Sequence, residues 1–248
     1  MILNSHIQAI ADALVHARRD RTVWSPDFSQ PLSIEEAYAV QDRVASALGW
    51  FAARRPAAWK AGGPDRLTEP TAAPLPSVRE SGVRWPCTGQ HALSVEAEVA
   101  VRFGRTPSTS VDIIDCIDTM CVSIEIVATR LADGLHAPAA WKLADQQLHA
   151  DLVIGAEVPF TARDWSSQRC SLSINGKVQL AVQGAHPCGD PLFSLAWLAQ
   201  HARRCGDGLR AGDLVTTGSW TGITPVQPGD RVVARFDGIG EAVVELVP

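Results

Sequence analysis

The sequence predicts an α+β fold: a curled mixed β-sheet with flanking helices and a small N-terminal helical lobe. Three observations carry this. Helical periodicity is concentrated in the first 50 residues, where apolar side chains recur at three- and four-residue spacing. From residue 92 onward, runs rich in Val and Ile alternate with turn signals, the pattern of strands. Helical interruptions among those strands are few, which favours a sheet that curls on itself over a regular βα alternation. With 248 residues, 46% of them apolar, the chain can bury a sizeable core.

Taken in order, residues 4–19 read as an amphipathic helix, without the basic start and unbroken apolar stretch of a signal peptide. Residues 33–48 read as a second helix. Ser33 and Glu36 fit a capping box, and Ile34, Ala37, Val40, Val44 and Leu48 follow helical spacing. Pro56, Pro64, Pro70, Pro74 and Pro76 then punctuate an irregular stretch. That stretch is the expected seam between a helical lobe, 1–70, and a β-rich catalytic domain, 71–248. "ALSVEAEVAVRFG" (92–104) is a strand, "STSVDIIDCID" (108–118) a helix, and "CVSIEIVAT" (121–129) and "HADLVIGAEV" (149–158) further strands. Asn175-Gly176, between alternating arms, suits a type I′ hairpin turn. Residues 191–205 read as a helix. The remainder reads as strands turning at Pro228-Gly229-Asp230 and Asp237-Gly238.

Composition excludes several function classes. A net charge of −5 without a basic stripe argues against nucleic-acid binding. No apolar run approaches the roughly 18 residues of a membrane span. Six cysteines form no C-x-x-C pair, and seven histidines form no H-x-H or H-E-x-x-H cluster, so zinc chemistry has no support. Buried, reduced thiols and a cytoplasmic location are expected.

In "VEAEVAVRFG", Glu96 and Glu98 share one face of a strand, with α-carbons roughly 6.5–7 Å apart. Either this is a solvated edge strand or a cation lies between the two charges. Glu125 lies in a strand that is apolar on both faces, where a carboxylate needs an ion-pair partner or a ligand. Together the three carboxylates would make an oxygen-only site suited to Mg²⁺ or Mn²⁺. Only three of the 22 basic residues are lysines: Lys60, Lys142 and Lys177. Lys60 lies between Trp59 and Ala61-Gly62-Gly63. Burial beside the indole would lower its pKa into the range of acid–base work; the alternative is a loop lysine stacked on Trp59. "TTGSWTG" (216–222) is either a plain turn or an oxyanion-binding loop.

"SIEEAYAVQDRV", the lysine-glycine segment at residue 60, "VEAEVAV", "SIEIVATR", "ADQQLHADLVIG" and "TTGSWTGITPVQPGD" follow one another as in the fumarylacetoacetate hydrolase superfamily. The chain most resembles the branch of 2-hydroxypenta-2,4-dienoate (2-oxopent-4-enoate) hydratases and 4-oxalocrotonate decarboxylases, over roughly residues 5–245. The resemblance implies metal ligation by Glu96, Glu98 and Glu125, catalysis by Lys60 and Asp145, and substrate contacts from Gly218, Ser219 and Thr221. It also implies an enzyme: a hydratase (lyase) using Mg²⁺ or Mn²⁺ to add water to a small 2-oxo or 2-hydroxydienoic acid in aromatic-compound catabolism. A homo-oligomer, with a pathway enzyme as a further partner, is expected. The alternatives are a 2-oxo-diacid decarboxylase, a C–C hydrolase, or a non-catalytic ligand-binding relative. Three departures stand out. The usual K-(I/V)-G-(L/F)-T-S is Lys60-Ala61-Gly62-Gly63-Pro64-Asp65 here. The asparagine of "ADN" is Gln146, and the serines expected after it are Leu148 and His149.

Overall fold

A computed structural model describes residues 2–51, 55–108 and 112–248, with the side chains of residues 2–4 outside that description. Among the described residues four α-helices are formed: α1 (Ile2–Asp20), α2 (Ile34–Ala47), α3 (Ala139–Ala144) and α4 (Leu195–Cys205). The strands up to residue 103 are β1 (Ala58–Gly62), β2 (Thr71–Pro74), β3 (Arg79–Glu80), β4 (Val83–Pro86) and β5 (Ser94–Phe103). Then come β6 (Ile117–Val127), β7 (His149–Ile154), β8 (Val158–Pro159), β9 (Arg169–Ile174) and β10 (Lys177–Gln183). The last four are β11 (Leu214–Thr216), β12 (Thr224–Pro225), β13 (Arg231–Phe236) and β14 (Gly240–Val247).

The strands make two mixed sheets. The larger runs β2-β1-β11-β5-β6-β7-β3, with β12 paired to β5 and β8 to β6; the smaller runs β10-β9-β13-β14-β4. The pairs β1–β11, β3–β7 and β4–β14 are parallel and the others antiparallel. One apolar core joins the sheets. Val95, Ala97, Val99, Val101 and Phe103 supply one face of β5, and Val232, Ala234, Phe236, Val244 and Leu246 answer from the smaller sheet. The opposite face of β5 carries Glu96, Glu98 and Ala100, and this is the face on which the polar cluster forms.

The capping box of α2 closes as expected: Ser33 Oγ accepts from the Glu36 N–H, and Glu36 accepts from the Ser33 N–H. Asn175 and Gly176 both adopt positive φ, 53° and 78°, as a type I′ turn requires. Two expectations need correction. The stretch 108–118 is not a helix. Residues 109–111 lie outside the described residues, only Ile114–Cys116 makes a 3₁₀ turn, and β6 already begins at Ile117. The run "DIIDCID" is pulled into sheet because Ile117 pairs with Phe103. Nor does the helical unit extend to residue 70: β1 lies inside the larger sheet, and the helical core recruits Leu131, Ala137, Trp141, Leu143 and Ala144 from far along the chain.

Candidate active site

Five adjacent strands carry the site. Lys60 on β1 stands beside Thr216 on β11, which pairs with Ala100 on β5. Two residues along β5 is Glu98, opposite Ser123 of β6; Glu96 lies directly opposite Glu125. Like charges paired across strands repel, so this register is unfavourable unless a cation compensates. One carboxylate oxygen from each of Glu96, Glu98 and Glu125 lies within 4.8 Å of the others. Since β5 is a central strand and Glu98 and Glu125 are 2% and 0% exposed, the solvated-edge alternative fails.

Each acid has its own partners. Lys60 Nζ donates to both Glu125 oxygens, at 2.6 and 2.7 Å, and to the Gln147 carbonyl at 3.3 Å. Glu98 Oε2 accepts from the Thr216 hydroxyl and from the Gly218 N–H at 3.0 Å. Thr216 Oγ1 also meets Ser123 Oγ at 3.0 Å. Glu125 Oε1 lies 2.9 Å from His149 Nδ1. His149 reaches this face because the β6–β7 register shifts after Ile126, which swings it to the side of Glu125. Its Nε2 is buried with no hydrogen-bond partner among the described residues.

The electrostatics follow from burial and crowding. Burial pushes Glu98 up to about 8 and Glu96 up to about 7; in both, the Glu125 charge adds to the rise while Lys60 opposes it. Glu125 goes the other way: burial disfavours its charge, but Lys60 and His149 together hold it below the usual carboxylate range. Burial pulls Lys60 down, yet Glu125, Glu96 and Glu98 outweigh it and raise the ammonium above its ordinary value. Hence the expected lowering of Lys60 by burial beside Trp59 is corrected. Strand alternation sends the Trp59 indole into the apolar core, while Lys60 faces three acids. Burial keeps His149 below its ordinary value, with the Glu125 hydrogen bond opposing.

Two other expected site residues stand differently. The Asp145 carboxylate accepts from the Arg130 N–H at 3.0 Å, from Arg130 Nε at 2.6 Å and from Arg18 Nη2 at 3.2 Å. It is committed to two guanidiniums, and none of its hydrogen bonds among the described residues reaches Lys60 or the three glutamates. Thr221 Oγ1 accepts from the Ala97 N–H and donates to the Gly222 carbonyl, so its hydroxyl serves the backbone. Ser219 differs: its hydroxyl is buried beside Glu96, and its hydrogen bonding there opposes the rise of the Glu96 carboxyl. Gly218, at φ 102°, would bring a Cβ to 3.2 Å from His186 Nε2, so this turn needs glycine.

Sequence reasoning did not single out His149, Ser123 or Gln147, and it flagged Thr216 only within the 216–222 loop. His149 carried a signal as a departure from the expected serine. The segment that carries Gln147 and leads into His149 is strained: Gln146, Gln147 and Leu148 have consecutive positive φ of 55°, 54° and 63° without a glycine. Gln146 is buried, and both its amide atoms lack partners among the described residues.

A chain with this site also has relatives. Residues 45–247 match the family described as fumarylacetoacetate (FAA) hydrolase C-terminal. The 2-keto-4-pentenoate hydratase of Paraburkholderia xenovorans (strain LB400) is 30% identical over 161 residues, 62% of this chain; the match spans only 59% of that relative. The 4-oxalocrotonate decarboxylase of Pseudomonas putida is 26% identical over 159 residues, covering 62% of this chain and 60% of the relative. In structure, the 4-oxalocrotonate decarboxylase from Pseudomonas putida G7, complexed with magnesium and adipate, superposes with a TM-score of 0.85. That alignment covers 98% of both chains at 22% identity, and it shows the shared fold. The oxygen-bearing cluster, the curled mixed sheet and the match over four-fifths of the sequence lead to one assignment: this chain belongs to the fumarylacetoacetate hydrolase C-terminal family.

Proposed function

We propose that this chain is a divalent-metal-dependent hydratase that adds water to a small 2-hydroxydienoate or 2-oxo-enoate in the breakdown of aromatic compounds. The observation that carries this is the convergence of Glu96, Glu98 and Glu125 within 4.8 Å, with Lys60 on the same face. Three crowded carboxylates, Glu98 and Glu125 buried and Glu96 half-buried, share one neighbouring ammonium, so their full ionisation calls for a further cation, and an all-oxygen donor set suits a hard ion such as Mg²⁺ or Mn²⁺. Bound there, the ion would supply Lewis acidity toward an enolate formed at the substrate's 2-oxygen. The 30% identity to the hydratase of Paraburkholderia xenovorans supports the same reaction class.

The chain's own groups do the rest. Lys60 Nζ, held also by the Gln147 carbonyl, gives a proton to the terminal carbon of the dienol and is reprotonated, through a water, by the 2-hydroxyl as it becomes the ketone; water then adds across the remaining conjugated double bond, its hydroxyl to one carbon and its proton to the other. His149 helps fix the orientation of Glu125 by meeting Oε1, one of the two oxygens that Lys60 also holds. Ser219 offers the substrate carboxylate a hydroxyl, and Gly218 lets the backbone come close. Asp145 supports the turn that carries Gln147 and leaves proton movement to Lys60.

A second reading has an observation of its own. C–C hydrolysis needs an activated water, and His149 beside Glu125 supplies a His–carboxylate pair. The test is a direct assay of purified protein with 2-hydroxypenta-2,4-dienoate, 4-oxalocrotonate and a 2,4-dioxo acid, with Mg²⁺ and after EDTA. Consumption of the dienoate that EDTA abolishes and Mg²⁺ restores establishes the hydratase. Turnover of 4-oxalocrotonate alone makes the protein a decarboxylase, and cleavage of the dioxo acid alone a hydrolase. Metal binding with no turnover of any of the three leaves a ligand-binding relative.

A further inference from the structure

Behind the active-site sheet, where the N-terminal helices meet it, a cavity of about 230 Å³ is lined by Arg18, Arg19, Arg21, Arg130 and His91, with Trp50 on one wall. Among the described residues, no Asp or Glu lines it. In a chain of net charge −5, this local excess of positive charge runs against the overall balance. Arg18 and Arg130 are both held inside, their side chains only 13% and 6% exposed, and they share a single carboxylate, Asp145. Arg19 gives one hydrogen bond to the Ala47 carbonyl and Arg21 one to the Thr88 carbonyl, so most of each guanidinium's donors stay uncommitted. Arg18 Nε is buried and has no hydrogen-bond partner among the described residues. A buried N–H without an acceptor is rare in native proteins and calls for an explanation.

Other features look built for this arrangement. The Arg18 guanidinium stacks on the Trp50 ring at 5.1 Å, which holds the fork flat. Gly89 leaves room for the Arg21 stem, because a Cβ there would come within 2.9 Å of Arg21 Cβ. Burial first, and then the neighbouring Arg130 charge, lower Arg18 to about 9, so the guanidinium is short of negative charge. Planar forks presented side by side match the paired oxygens of phosphate and carboxylate groups.

We propose that this cavity is a binding site for a small anion bearing a phosphate or carboxylate group, separate from the Glu96–Glu98–Glu125 cluster. Its wall includes Thr129 and Arg130, just beyond β6, and Ala150 of β7, next to His149. An anion seated there neutralises Arg18 and Arg130 and relieves the competition for Asp145.

The 248-residue chain, stripped of metal with EDTA, is titrated calorimetrically at constant ionic strength with inorganic phosphate and, separately, with succinate. The expected result is saturable binding of at least one probe, weakened tenfold or more by Arg18→Met and by Arg21→Gln and unchanged by Glu98→Gln. Binding of phosphate alone assigns the site to phosphoryl groups, and binding of succinate as well assigns it to carboxylates too. Because Arg18 also supports Asp145, the exposed Arg21 provides a variant whose folding is not at issue. No saturable binding of either probe, affinity unmoved by both arginine variants, or binding lost in Glu98→Gln would overturn the proposal.

Discussion

Replacing Glu98 with Gln in metal-free protein should make the chain more stable and worse at binding metal at once. Gln keeps an oxygen for the Thr216 hydroxyl and the Gly218 N–H, so the packing survives. What goes is a buried acid that must hold its proton, or carry a charge facing Glu125 and Glu96. The Glu98 carboxyl titrates near 8 when folded, by burial and its acidic neighbours, against 4.5 ordinarily. Below pH 4.5 it is protonated in both the folded and unfolded chain, and the shift has no effect. As pH rises from there, the unfolded chain gives up its proton first, so stability falls until the folded value is passed. At about 1.4 kcal/mol per pH unit, pH 7 costs the wild-type protein about 3 kcal/mol that the Glu98→Gln variant does not incur. For a chain of this size that is roughly 6–12 °C in Tm. Melting curves in EDTA at pH 5, 7 and 8.5 should show the gap opening with pH. Titration with Mg²⁺ should show the opposite sign, an affinity loss on the order of 100-fold, as expected when one unit of charge a few ångströms from a dication is removed. A variant that melts below wild type at pH 7 without metal, and binds Mg²⁺ equally well, would refute the charge-crowding account.

Lys60→Met should cut turnover on the order of 100-fold or more while Mg²⁺ affinity, read by calorimetry, holds or improves, because Lys60 occupies both oxygens of Glu125. Arg55→Ala should cost about 2–3 kcal/mol in urea unfolding, since Asp213, 0% exposed, loses two 2.7 Å hydrogen bonds and keeps, among the described residues, only the Arg210 N–H at 2.8 Å. Gly155→Ala should lower stability by about 2–3 kcal/mol in the same assay, because its Cβ would land on the Glu241 backbone carbonyl, which cannot swing aside. His186 is held below its ordinary value by burial, against the pull of its Thr217 carbonyl bond. The unfolded chain therefore takes up the proton first, and stability present above about pH 6.5 is lost as pH falls through and below it. Acid melting curves of His186→Gln should be flatter over that range.

Much of this was legible in the sequence, for a reason that particular residues show. Period-two alternation in "VEAEVAV" put both acids on one face, and "CVSIEIV" placed Glu125 in a covered strand; those are properties of neighbouring residues, and a strand enforces them. The capping box of α2 and the Asn175-Gly176 turn are local in the same way. What could not be read depends on pairings distant in sequence. The residue beside Lys60 is Thr216, 156 positions away, and strand order alone brings them together. The fate of Asp145 turned on Arg18, from a helix 127 residues earlier. The short stretch 112–118 has helical composition but lies where β5 needs a partner, and the pairing won.

The segment from Asp145 to Ala150 shows how a folded chain holds an arrangement that its local preferences oppose. Three successive non-glycine residues in the left-handed region cost roughly 1–2 kcal/mol each, and the turn they make aims the Gln147 carbonyl at Lys60. Such a turn persists only where its ends are fixed from outside. One end is fixed by Arg130, which binds both the carboxylate and the carbonyl of Asp145. The other is fixed by sheet: the Leu148 carbonyl accepts from the Ala128 N–H, and beyond it the register shift turns His149 toward Glu125. Strain and like-charge crowding thus meet at the same few ångströms, at Lys60 and Glu125. Neither helps the chain fold, and the Arg130 clamp and the β6–β7 pairing maintain both. The carboxylate cluster and the left-handed turn beside it are therefore one structural unit, held against its own repulsion from two sides.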